Sequence, residues 1–254
     1  MNFIEHYFTE ERDPKKDPFV VVYAGRFQPF HVGHKQTYDN LVKKFGKENV
    51  VIASADNSKS KLKDPARQPF SFEEKKQIVN KMFDLDMTLI KSPYGPVEIL
   101  SKMPDETAHI AAIGKKDIDR FANKNFFDEY SDDIKNLAPW ITKKGEKNEY
   151  AGYYYVAPEN DTMHNGEQIS GSLVRKVLGQ TVSQEFMDDI KDLKDEIQKE
   201  RLEAEEERIK SEKESLFKSL YGKFDQKIFD LVTSGIQNAN EAQSQKATRK
   251  KKVK

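Results

Sequence analysis

Short apolar runs alternate with amphipathic segments from residue 19 to residue 179, and this alternation restricts the fold more than any other feature. FVVVYAG (19–25), NVVIASA (49–55), MTLIKS (87–92), AHIAAIG (108–114) and YYYVAP (153–158) read as strands. Continuous apolar strands suit a sheet covered on both faces. Helical segments stand between them. Residues 33–45 carry an apolar side made by Leu41, Val42 and Phe45 behind Val32. SFEEKKQIVNKMF (71–83) opens on Ser71 as N-cap with Glu74 three residues on, a capping box. PVEILSKM (96–103) starts on a proline, and SGSLVRKVLG (170–179) closes on Gly179. The expected architecture is α/β, a parallel sheet with helices on both faces. Ligands of such sheets sit beyond the carboxyl ends of the strands. Chemistry is therefore expected just after strands one, two and four.

Charge divides the rest of the chain. The whole sequence is neutral, with 43 Lys+Arg against 43 Asp+Glu, which argues against a globally basic nucleic-acid binder. Residues 183–221 hold thirteen acids and eight bases, and KATRKKKVK (246–254) holds six bases. The expected organisation is a lead-in at 1–16, a compact domain at 17–181, a charged helical extension at 182–237 and a basic disordered tail at 238–254. In the extension, Phe186, Ile190, Leu193 and Ile197 form one apolar stripe at helical spacing. LFKSLYGKFDQKIFDLV (216–232) is apolar enough to need covering by the same domain, a second copy or another protein. Cysteine is absent, which removes disulfides, thiolate nucleophiles and Cys-type metal sites. No apolar run approaches the roughly 20 residues of a membrane helix, and the first residues lack the apolar core of a signal peptide. A cytoplasmic location is expected.

The strongest motif is AGRFQPFHVGH (24–34). A strand ends at Gly25, a turn follows, and His31 and His34 stand at the mouth of the next helix. Gly25 permits close approach of a ligand, and Gly33 keeps the turn between the histidines open. A helix N-terminus offers free N–H groups and a positive dipole end to the same space. Two imidazoles there point to a phosphate site. A second segment, ISGSLVR (169–175), places Ser170 and Ser172 at a helix start and Arg175 one turn on. Lys59, Lys61 and Arg67 lie in a basic loop after strand two, and IGKKDIDRF (113–121) follows strand four.

Residues 25–34 resemble the HxGH signature of the nucleotidyltransferase superfamily, the cytidylyltransferase-like proteins. Gly-Arg-Phe-Gln-Pro-Phe-His-x-Gly-His is most similar to the archaeal-type nicotinamide mononucleotide adenylyltransferases, whose relatives also occur in tailed bacteriophages. ISGSLVR resembles the ISSTxxR signature of the same domain, and Phe70-Ser71-Phe72-Glu73-Glu74-Lys75 fits its helix start after strand two. The resemblance covers residues 17–180 and implies a Rossmann-like sheet. It leaves out the C-terminal helices and the insertion at 124–150 with Trp140, for which core or lid packing is expected over stacking on a nicotinamide or base. His109, within a strand, is expected to be a packed core histidine, and His164 a loop histidine.

The resemblance implies transfer of a nucleotidyl group from a nucleoside triphosphate to a phosphorylated acceptor, with release of pyrophosphate. ATP and nicotinamide mononucleotide are favoured over CTP and a phosphorylated alcohol; in phage the location would be the host cytoplasm. His31, His34 and Arg175 would be catalytic. Gly25, Arg26, Phe27, Gly33, Gly114, Lys115, Asp117, Ile169, Ser170 and Ser172 would bind the nucleotide. Lys59, Lys61 and Arg67 would meet acceptor or phosphate. Mg²⁺ would ride on the nucleotide phosphates, with no protein-made metal site. The C-terminal helices could join a second copy or a protein partner, and a nucleotide-binding scaffold without catalysis is the alternative class.

Overall fold

β1 (Phe19–Ala24) is buried along its centre, so its side chains need cover on both faces. The computed structural model, which describes residues 18–56, 64–122, 127–133, 137–140, 152–159 and 162–252, supplies that cover. The chain divides into two compact units, each built from three stretches.

The first unit takes its described residues from Met1–Arg26, Gln36–Asp56 and Asp86–Asn160. It contains β1, β2 (Val50–Ala55), β3 (Thr88–Ile90), β4 (Ala108–Ile113), β5 (Phe127–Glu129) and β6 (Gly152–Val156). They form one sheet in the order β3-β2-β1-β4-β6-β5, and every pairing is parallel. Alternation along β1 sends its side chains two ways. Val20 and Val22 join Ala53, Ile90, Ile99 and Leu100 in a core on one face, where helix Val97–Leu100 packs. Phe19 turns the other way and meets the ring of Phe45, from the helix Val32–Phe45, at 6.1 Å. This is a Rossmann-like sheet with helices on both faces. The strand order reverses between β1 and β4, the place at which sheets of this kind receive ligands beyond their strand ends. Sequence reading missed β5, a three-residue edge strand in the polar insertion; Trp140 of that insertion packs against the Val20–Leu100 core, as expected.

The second unit takes its described residues from Phe27–Lys35, Asn57–Leu85 and Asp161–Lys254. Numbered in chain order, the helices are α1 (Val32–Phe45), α2 (Phe72–Phe83), α3 (Val97–Leu100), α4 (Ile118–Ala122), α5 (Gly171–Leu178), α6 (Gln184–Ile190), α7 (Asp195–Tyr221) and α8 (Gln226–Lys252). α1 begins in the second unit and ends in the first. Ser71 and Glu74 make the capping box that starts α2. Ile78 of α2, Leu178 of α5, Phe217 of α7, and Val232 and Ile236 of α8 are buried in one core with Phe70.

That core changes the organisation expected from sequence. The C-terminal helices are not a separate charged extension. The 216–232 stretch buries most of its apolar side chains within its own chain, against α2 and α5, and leaves Phe224 exposed. Close approach is enforced by glycine: a Cβ at Gly179 would stand 2.8 Å from Ile236, and one at Gly235 would stand 2.8 Å from the Phe70 ring. The single stripe expected from Phe186 to Ile197 is broken. α6 ends at Ile190, which is buried, and α7 restarts at Asp195 with acids in its first turn, leaving Ile197 exposed. Residues 238–252, expected to be disordered, continue α8. Residues 236–252 contain no glycine or proline, so a helix nucleated in the core propagates through them. Among the described residues no helix is long and apolar enough to cross a membrane.

Candidate active site

The site is built on the start of α1. The His31 carbonyl accepts the first intrahelical bonds, from the N–H groups of His34 (2.8 Å) and Lys35 (3.0 Å), so His31 is the N-cap. Its ring then acts as a cap: Nδ1 accepts from the N–H of Gly33 at 3.2 Å. His34 reaches back, and its Nδ1 accepts from the N–H of His31 at 3.2 Å. This is the reciprocal logic of a capping box, made with imidazoles.

The consequence is chemical. A neutral imidazole whose Nδ1 accepts a backbone N–H carries its proton on Nε2. Both rings are thereby set as Nε2–H donors. Their centroids lie 3.9 Å apart. Burial pushes the His31 pKa down to about 4, so this ring is neutral at pH 7. Phe27 and Phe30 hold His34 from the side, with ring centroids at 5.0 and 5.3 Å. Phe30 in turn rests on Phe83 of α2 at 5.4 Å.

The second motif meets the first. Ser170 caps α5, accepting from the N–H of Leu173 at 3.2 Å. The Arg175 guanidinium donates to the Gln28 carbonyl at 3.0 Å and to Ser172 Oγ at 3.4 Å. Gly171 leaves room for it, since a Cβ there would stand 3.0 Å from Nη1 of Arg175. Gln28 is the residue sequence reading passed over. Its side chain donates to the Phe70 carbonyl (3.0 Å) and accepts from the Phe70 N–H (2.9 Å). One buried glutamine thus ties the histidine turn to the entry of α2, while its carbonyl holds Arg175. Its place inside GRFQPFH was the only available signal.

The other candidates of the second unit are placed as follows. Phe27 is buried and packs on Phe30 and His34, so its ring supports a histidine. Ile169 puts its side chain into the α2–α5–α7–α8 core, and its N–H donates to the Thr162 carbonyl. Arg67 lies exposed in the short 3₁₀ turn Pro65–Arg67, 3.9 Å from Asp64. Lys59 and Lys61 lie outside the described residues.

In the first unit, Gly25 donates to the Ala53 carbonyl at 3.1 Å and accepts from Ser54 Oγ at 2.8 Å. Arg26 beside it is exposed. Gly114 precedes the 3₁₀ turn Lys115–Asp117 at the carboxyl end of β4. Lys115 is exposed there, and Asp117 pairs with Arg120 at 2.8 Å. His109 is fully buried on β4, as expected, and burial pushes it down to about 4. His164, in the hairpin of β7 (Met163–His164) and β8 (Glu167–Gln168), pairs with Ser219 at 3.0 Å. Among the described residues no group of three or more His, Cys, Asp or Glu could hold a metal ion.

Two Nε2–H groups at a helix start and a guanidinium beside a second helix start are donors of a kind that phosphate oxygens can accept from. The cytidylyltransferase-like family model matches residues 22–177, more than half of the sequence, and the chain belongs to that family. No curated protein matches it. Two solved structures of a bifunctional NMN adenylyltransferase/ADP ribose pyrophosphatase from Francisella tularensis are similar. One is 16% identical, covers 65% of this chain and 44% of that one, and has a TM-score of 0.37. The other, complexed with AMP and a Mn ion, is 15% identical, covers 65% and 43%, and has a TM-score of 0.33. The chain spans less than half the length of that protein.

Proposed function

We propose that the protein is a nucleotidyltransferase that moves an adenylyl group from ATP to nicotinamide mononucleotide. The observation that carries the transferase reading is the pair of imidazoles fixed as Nε2–H donors by backbone N–H groups on both Nδ1 atoms. The choice of ATP and this acceptor is supported by the wording Gly-Arg-Phe-Gln-Pro-Phe-His of the motif.

In this reading an acceptor phosphate oxygen attacks the α-phosphorus in line. A new P–O bond forms, the bond to the β-phosphate oxygen breaks, and pyrophosphate departs with the electron pair. His31 and His34 donate to α- and β-phosphate oxygens as charge builds in the transition state. Neutral donors suit this task, because they need not give up a proton as charge shifts. Arg175, Ser172 and the start of α5 hold the leaving pyrophosphate. Gln28 positions Arg175. For Gly25, Arg26, Gly114, Lys115 and Asp117 the proposed nucleotide contacts rest on the resemblance alone, as do the phosphate contacts of Lys59, Lys61 and Arg67. Divalent metal enters with the triphosphate, as part of the substrate.

The test is pyrophosphate release by the full chain with Mg²⁺. ATP and CTP are each paired with nicotinamide mononucleotide, glycerol 3-phosphate, phosphocholine and phosphopantetheine. Release with ATP and nicotinamide mononucleotide is expected. Release with CTP and a phosphorylated alcohol would replace the substrates and keep the reaction. Nucleotide binding with no release from any pair would overturn catalysis in favour of a scaffold.

A further inference from the structure

α8 lies outside the residues that the family model matches, yet within the second unit it abuts two supports of Arg175. The first support is Phe70. Its N–H and carbonyl hold the Gln28 side chain, and the Gln28 carbonyl receives the guanidinium. The Phe70 ring is fully buried and lies against Gly235 of α8, where a Cβ would stand 2.8 Å from Cε1. The second support is the end of α5. The Gly179 N–H donates to the Arg175 carbonyl at 3.1 Å. A Cβ at Gly179 would stand 2.8 Å from both Ile236 Cγ2 and Asn240 Nδ2 of α8. One residue further on, the Gln180 carbonyl accepts from the Gln237 side chain at 3.3 Å. Gly235, Ile236 and Gln237, successive in α8, thus meet both supports.

Glycine inside a helix weakens it relative to alanine, so Gly235 in mid-α8 calls for a packing reason, and the Phe70 ring is that reason. A close-packed interior transmits a displacement instead of absorbing it. A buried ring with no free space beside it cannot swing away, so a Cβ at Gly235 must push Phe70 or α8 itself. Pushing Phe70 carries the Gln28 turn along, because two hydrogen bonds tie the glutamine to that residue's backbone. Pushing α8 shifts its contact with the end of α5, the helix that carries Arg175. We infer that α8 is a positioning element of the phosphate site: through Gly235 on Phe70 and Ile236 on Gly179 it sets where the Arg175 guanidinium stands. What Arg175 does there rests on the transfer reading; where it stands rests on the packing alone. Rates are sensitive to such placement, since a shift of about 1 Å can cost on the order of 10²-fold.

Two readouts on the full chain test this. The first needs no activity: the side-chain Nε–H resonance of Arg175 in isotope-labelled protein, assigned by its loss in Arg175→Lys. Gly235→Ala should move or broaden that resonance and leave the one from Arg120, in the first unit, unchanged. Phe70→Leu removes the ring contact and keeps the backbone that holds Gln28. It should move the same resonance, and it serves if Gly235→Ala does not fold. The second readout is steady-state pyrophosphate release. Gly235→Ala should lower kcat/KM roughly 10-fold, but by less than about twofold in an Arg175→Ala background. An unmoved Arg175 resonance in a folded variant overturns the inference. So does an equal loss of kcat/KM with and without Arg175, which is what a weakened fold alone would give. A resonance that moves in a chain releasing no pyrophosphate from any substrate pair upholds the positioning and overturns the transfer reading.

Discussion

Two histidines, one at the mouth of α1 and one inside β4, share a number and differ in use. His31 and His109 are both buried, and burial pushes each down to about 4. His31 takes a backbone N–H on Nδ1, which directs its remaining proton to Nε2. His109 has no hydrogen-bond partner on either ring nitrogen among the described residues, and lies edge-on to Phe127 at 5.8 Å. Burial alone keeps an imidazole neutral. Only the added backbone bond fixes the tautomer and makes the ring a directed donor. A depressed pKa therefore does not distinguish a working histidine from a packed one.

The contrast can be broken by mutation. His34→Ala removes one of the two directed donors and should lower kcat by on the order of 10²- to 10³-fold, as loss of a transition-state donor does. His109→Leu should leave kcat within about twofold. Steady-state pyrophosphate release checks both; a near-normal rate in His34→Ala would sink its role.

Acid should expose what the two rings have in common. Each has a folded pKa of about 4 against an ordinary value of 6.5. Between those pH values the unfolded chain binds more protons than the folded one, so stability falls as pH drops through that window. The loss should approach about 3 kcal/mol for each ring. Urea melts from pH 7 to pH 4 measure it. In His109→Leu the slope should flatten by one histidine's share.

Arg175→Lys keeps the charge but loses the fork that spans the Gln28 carbonyl and Ser172 Oγ. A drop of roughly 10-fold in kcat/KM is expected, with the melting temperature nearly unchanged. The smallest effect sharpens the comparison from the other side. His109→Leu removes two unpaired polar atoms from the sheet interior and should stabilise the protein by about 1 kcal/mol at pH 7. A destabilised variant would show that the ring holds a partner worth keeping.

Much of this was legible in the chain itself. Apolar runs marked β1, β2 and β4, because a strand buried on both faces has nowhere to put polar residues, and they marked β3 and β6 as well, although Leu89 of β3 is exposed. Ser71 with Glu74 and Ser170 announced the starts of α2 and α5, because capping is a local bond. His31 and His34 were legible for the same reason: three residues apart, they act on one helix start.

What tertiary structure decided were the pairings between distant residues. No local pattern states that Gln28 clamps Phe70 and holds Arg175, 147 residues away, because those bonds exist only once α2 and α5 share a core. The sequence marked 216–232 as apolar enough to need cover but left open what covers it; that is decided only when Phe217, Val232 and Ile236 meet Phe70 and Leu178. Local order follows from bonds between neighbours in sequence, which a sequence spells out. Burial follows from which surfaces meet, and only the folded chain decides that.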